Sequence, residues 1–123
     1  MEHMDLPKIV ADAWKKSDHE LFAELGARAY VSEGRIIHKR STGGPDDEKN
    51  GRKVFDALLP KIRTRVCDDW RGCEKLKLNN DETATALLLA DWFITAKVAA
   101  FPVATLTVLT MRIGIKRLCG CPT

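Results

Sequence analysis

Four cysteines stand out, because their chemistry depends on which of them meet. Cys67 and Cys73 are spaced C-x5-C, and Cys119 and Cys121 are spaced C-x-C near the end of the chain. Four thiolates are enough for a tetrahedral zinc site. Structural zinc knuckles, however, set each pair two to four residues apart, and C-x5-C departs from that pattern. The expectation is therefore no metal and no other cofactor. Cys67 and Cys119 read as small core residues, and Cys121 as a tail thiol. A disulfide framework is disfavoured as well. The opening MEHMDLPK has neither a basic n-region nor an apolar h-region, which points to a cytoplasmic chain whose thiols stay reduced.

Basic residues form the second set. Arg35, His38, Lys39 and Arg40 cluster, with Arg52 and Lys53 beyond the next loop. Lys61 and Arg65 are i,i+4 partners near Arg63, as are Arg112 and Lys116. If Arg35, Lys39, Arg40, Arg52, Lys53, Lys61 and Arg65 converge, they would neutralise several phosphates, with Trp70 or Tyr30 as a stacking surface. Acids are interleaved throughout, the net charge is only +3, and no helix-turn-helix, zinc-finger or RNP pattern is present. Nucleic-acid binding is therefore the second reading of this chain, not the first.

Asp91 is the one carboxylate inside the most apolar region, where a charge is costly unless it is paired or solvated. Lys97 lies six residues on, off the same helix face. Asp91 is expected to face solvent beside the apolar stripe, or to bond a base from another helix. His19 and His38 have no Cys, Ser or Asp at diagnostic spacing. There is no G-x-S-x-G, H-E-x-x-H, P-loop or G-x-G-x-x-G. No catalytic residue is assigned, and a non-enzymatic protein is expected.

The elements that must position these residues are helical. A length of 123 residues with 45% apolar and 30% charged content fits one globular domain with a core of its own. His3-Met4 resembles a cloning junction, so the first few residues are set aside as a disordered start or vector remnant. Asp5-Leu6-Pro7 begins a helix over 7–16. Ser17 to Glu20 is a capping box opening a second helix over 18–33, with an extension to 40 possible. Ser41 to Gly51 reads as a flexible loop. A third helix follows over 52–70, bent or divided at Pro60. Cys73 to Asn80 is a polar connector with Leu76 and Leu78 turned inward. Helices over 82–100 and 102–118 complete the chain, separated by Pro102 and ended by Gly120.

The fold expected is all-α, a compact bundle of four to five helices with a buried C-terminal helical hairpin. The uncharged run Val98 to Met111 is 14 residues, short of the roughly 20 a membrane span needs, so a membrane is not an expected partner. The last helix is apolar around most of its circumference, more than four short helices can readily cover. That predicts a protein interface at Val108, Met111, Ile115 and Leu118, with Trp14 and Trp70 as anchors. The leading expectation is a small interaction protein: a homo-oligomer, or a subunit or adaptor of a larger assembly.

Overall fold

The chain is described from a computed structural model, over residues 5–38, 46–78, 81–96 and 102–122. Lys39, Arg40, Met1 to Met4, the first part of the expected loop and the expected last turn of the 82–100 helix lie outside those residues. Helix α1 runs Leu6–Trp14. Its Asp5 cap accepts from the Lys8 amide at 3.3 Å, and Pro7 sits in the first turn, where its missing amide costs nothing. Helix α2 runs Asp18–Gly26. It opens with the expected capping box: the Glu20 amide donates to Ser17 Oγ at 3.2 Å, and the Ser17 amide to Glu20 Oε1 at 3.4 Å.

Beyond Gly26 the helix stops, contrary to the sequence expectation. Strands β1 (Ala29–Ser32) and β2 (Arg35–His38) pair as an antiparallel hairpin, with Tyr30 opposite Ile37 and Val31 opposite Ile36. Both turn residues have positive φ, 51° at Glu33 and 76° at Gly34. A two-residue turn that matches strand twist needs this geometry. The β-branched residues on either side of Glu33-Gly34 favour the pleated ribbon over a helix.

Helix α3 spans Asp47–Thr64. It starts inside the stretch read as a loop and passes through Pro60 without dividing. Residues Arg65–Asp69 continue it as one π turn, in which the Trp70 amide donates to the Arg65 carbonyl at 2.9 Å. The expected polar connector is largely helix α4 (Gly72–Leu78); Leu76 is half-buried, but Leu78 points outward with 79% of its surface exposed. Helix α5 covers Glu82–Ala96, capped where Asp81 Oδ1 accepts from the Thr83 amide at 3.0 Å.

The expected final helix is two. Helix α6 (Val103–Ile113) ends at Gly114, whose φ of 93° breaks the helical path, and α7 (Ile115–Cys119) follows. Gly120 closes α7 in the left-handed conformation.

The fold is predominantly helical and compact, with one small two-stranded sheet. Helix α6 is its centre. Every residue from Ala104 to Met111 is buried, and α1, α2, α5 and α7 all pack on it. Thr105 and Thr110 of α6 survive burial by bonding. Thr105 Oγ1 donates to Glu24 Oε2 at 2.6 Å, and Thr110 Oγ1 to the Leu106 carbonyl at 2.7 Å. Among the described residues no helix is long and apolar enough to cross a membrane.

Candidate interaction surface

The residues expected to form an interface are core residues of the chain itself. Val108, Met111, Ile115, Leu118 and Trp70 are all buried among neighbouring helices. This removes the premise that placed an interface on them. Helices α1, α2, α4 and α5 and the π turn cover this segment, and the corner at Gly114 lets α6 and α7 cover each other. Of the six expected residues only Trp14 is partly open to solvent.

The uncovered apolar surface lies one helix earlier. Helix α5 is apolar on nearly every side, and its inner face buries Ala86, Leu89, Ala90 and Phe93. The opposite side keeps Leu88 at 44% and Ile94 at 39% exposure. Leu87, Asp91 and Ile94 follow one another at spacings of four and three residues on one side of α5, and Leu88 adjoins Asp91 on the side away from Ile94. Asp91 is exposed between them, as the sequence led one to expect, and lines none of the described cavities that Leu87 and Glu82 help to form.

A groove of about 350 Å³ runs between α1 and α5. Val10 and Ala86 form its buried floor, and Pro7, Trp14 and Leu87 its walls, with Lys15 and Glu82 exposed at the rim. Ile9, on the outer side of α1, is 38% exposed. The signal is present in the sequence: Leu6, Ile9, Val10, Ala13 and Trp14 on α1, and Leu87 and Ile94 on α5, recur at helical spacing. Helix α6 is apolar on most sides as well, and only the packing reveals that it is the one buried.

Among the described residues, the basic side chains are divided between ion pairs and solvent. Arg65 turns inward: its Nη1 lies 2.8 Å from Asp69, its Nη2 donates to the Ala96 carbonyl at 3.4 Å, and its guanidinium lies 5.7 Å from the Trp92 ring centroid. Arg52 is bound to Glu48 through Nη2 at 2.8 Å and covers the Phe22 ring at 4.4 Å. His19 also contacts Glu48. The Arg52 hydrogen bond, with His19 nearby, holds the Glu48 carboxyl below the usual glutamate range, against a smaller opposing effect of desolvation. Arg35, Lys53 and Lys61 are exposed.

Arg112, read as part of a basic pair, is a clamp. It bonds Asp18 Oδ1 at 2.6 Å and the carbonyls of Trp14 and Lys16 at 3.0 and 2.6 Å, tying the end of α6 to the α1–α2 turn.

The four cysteines do meet, but as two disulfides, Cys67–Cys119 and Cys73–Cys121. The expectation of reduced core thiols and a free tail thiol is thereby corrected. The Cα atoms lie 5.3 and 5.5 Å apart, within ordinary disulfide reach. Sequence spacing hid the pairing because each bridge spans about fifty residues, and only the return of α7 onto the π turn and α4 brings the partners together. Among the described residues no group of three or more potential ligands is arranged to hold a metal ion.

No protein-family model, no curated protein and no solved structure matches this chain.

Proposed function

We propose that the chain is a small non-enzymatic interaction protein that self-associates through the outer side of α5 and the α1–α5 groove. The observation that carries this reading is the pair of exposed apolar side chains, Leu88 and Ile94, on the same helix whose Leu87 lines an apolar groove. Single exposed leucines are ordinary, but an apolar groove with exposed apolar side chains on one of its own helices makes a surface that a helix can fill. A second copy fits by charge. Helix α5 carries Glu82 and Asp91 and no base, while Lys15 stands at the groove rim. Under a two-fold axis the outer side of each α5, with Asp91 between Leu88 and Ile94, enters the groove of the other copy, so both contacts close at once.

Size-exclusion chromatography with light scattering tests this on wild type and Leu88→Glu. Wild type should run as a dimer and the variant as a monomer with unchanged helical circular dichroism, because Leu88 is outside the core. A wild-type monomer throughout the accessible concentration range overturns self-association. A dimer that survives both Leu88→Glu and Ile94→Glu overturns the surface.

One observation favours the nucleic-acid reading: Lys49, Lys53 and Lys61 are all exposed on α3. Binding there would lose about 0.9 log units of affinity per log unit of salt for each phosphate contacted, and a flat salt dependence removes it. As for location, the cytoplasmic expectation meets two disulfides, which favour an oxidising compartment. The thiol count of protein isolated from its native source decides between them.

A further inference from the structure

Helix α7 is five residues long and carries Cys119 of one disulfide, with Cys121 of the other just beyond its end. It leaves α6 at Gly114, whose positive φ makes a sharp corner. It then packs on α4 and the π turn. Ile115 seats over Gly72, where an added Cβ would come within 2.8 Å of its Cγ2. Ile115 and Leu118 are buried there, as is Val66 beneath them. The two disulfides differ in setting. Cys67 and Cys119 pack against the hydrophobic core, whereas Cys73 and Cys121 are not part of that packing. Cys121 also lies beyond the end of the helix, held by its amide to the Lys116 carbonyl at 3.0 Å.

We propose that α7 is a redox latch that opens in two steps, with Cys73–Cys121 as the outer, first-reduced bond and Cys67–Cys119 as the inner one. The reductant is a dithiol. One of its thiolates attacks the outer disulfide, forms a mixed disulfide and expels one cysteine thiolate. Its second thiolate then displaces the other cysteine and closes the reductant's own disulfide. Two electrons and two protons pass from the dithiol to Cys73 and Cys121, which end as thiols. A second dithiol does the same at Cys67–Cys119. With both bonds open, α7 turns about Gly114 and uncovers Ile115, Leu118 and Val66. Packing orders the steps: all four cysteines are half-buried, but Cys67 and Cys119 pack on the core, so local opening gives a line of approach to the Cys73–Cys121 sulfurs first.

The test titrates purified full-length protein with dithiothreitol, traps free thiols with N-ethylmaleimide and locates the adducts by peptide mass mapping. Amide hydrogen exchange is followed across residues 114–121. The expected course is no adduct before reductant, then a species labelled at Cys73 and Cys121 only, then labelling of all four. Exchange at α7 should rise sharply on full reduction while α6 remains protected. Labelling of all four cysteines in untreated protein overturns the latch. So does labelling of Cys67 and Cys119 first, or unchanged protection of α7 after full reduction. A reduced protein that binds one equivalent of added Zn²⁺ with α7 still protected would make the four thiolates a metal site instead, and equally overturns it.

Discussion

Gly26 and Gly51 sit against each other at the crossing of α2 and α3, each occupying space that a side chain would need. A Cβ on Gly26 would land on the Asp47 carbonyl, and one on Gly51 on the Phe22 carbonyl. The two helix backbones therefore touch directly, and the close approach permits Cα–H···O contacts between them. Around this point Phe22 and Phe55 meet edge-to-face at 5.9 Å, and the Arg52–Glu48–His19 cluster closes the solvent side.

Alanine at either glycine should be destabilising. In an open helix Gly→Ala gains up to about 1 kcal/mol. Here the clash is with main chain, which no rotamer change relieves, so a loss at or beyond the usual overpacking range of about 1–3 kcal/mol is expected. Urea denaturation followed by circular dichroism measures it. Equal or greater stability of Gly51→Ala would show that the helices cross further apart.

Thr107 should be improvable. Its side chain is fully buried and its hydroxyl has no partner among the described residues. An unmade buried hydrogen bond costs about 1–3 kcal/mol, and an apolar group of the same shape avoids that cost. Thr107→Val is expected to raise the denaturation midpoint by the equivalent of about 1 kcal/mol with an unchanged slope. Thr110→Val should not, because that hydroxyl is bonded to Leu106.

Arg112→Met should loosen the α1–α2 turn. Three acceptors lose a charged donor at once, for a cost of about 2 kcal/mol. Arg112→Lys should recover little of it, since an ammonium lacks the fork that reaches several oxygens together. Faster amide exchange at residues 14–18 would accompany the loss, and its absence would detach the arginine from that turn.

Glu48 gives the α2–α3 junction a defined acid sensitivity. Its folded-state pKa is depressed, chiefly by the Arg52 hydrogen bond. Its contribution is therefore fully present above the unfolded value of about 4.3 and is lost as pH falls through the lower folded value. The stability difference between wild type and Glu48→Gln should be constant near neutrality and shrink on acidification below about pH 4. A difference that grows on acidification reverses the sign and excludes this origin.

Much of the helical architecture was written locally. The Asp5 cap, the Ser17–Glu20 box, Asp81 before α5 and Gly120 after α7 each mark an end through chemistry within four residues. What was hidden depends on distant partners or on a choice between two local options. Residues 29–38 hold enough β-branched character for a ribbon and enough apolar spacing for a helix, and the Glu33-Gly34 turn decides it. The Asp47–Asn50 stretch is polar enough for a loop, yet it becomes helix because Gly51 lets α3 start flush against α2. Gly114 interrupts a run that apolar periodicity alone carries through. The candidate surface was half legible: the apolar spacing was visible, but which of two apolar helices ends up inside depends on the four helices that pack on α6.

The paired disulfides also change how the chain answers a pull. The bond between Cys67 and Cys119 spans 52 residues, and the second bridge closes almost the same segment. Held at its two ends, the oxidised chain transmits force across the sulfur bridges, so α4, α5 and α6 bear no tension. At about 3.5 Å per extended residue, roughly 180 Å of contour is withheld, and α1 to α3 alone lengthen. Reduction returns that length to the load path, so the same fold has two extensibilities set by its thiols.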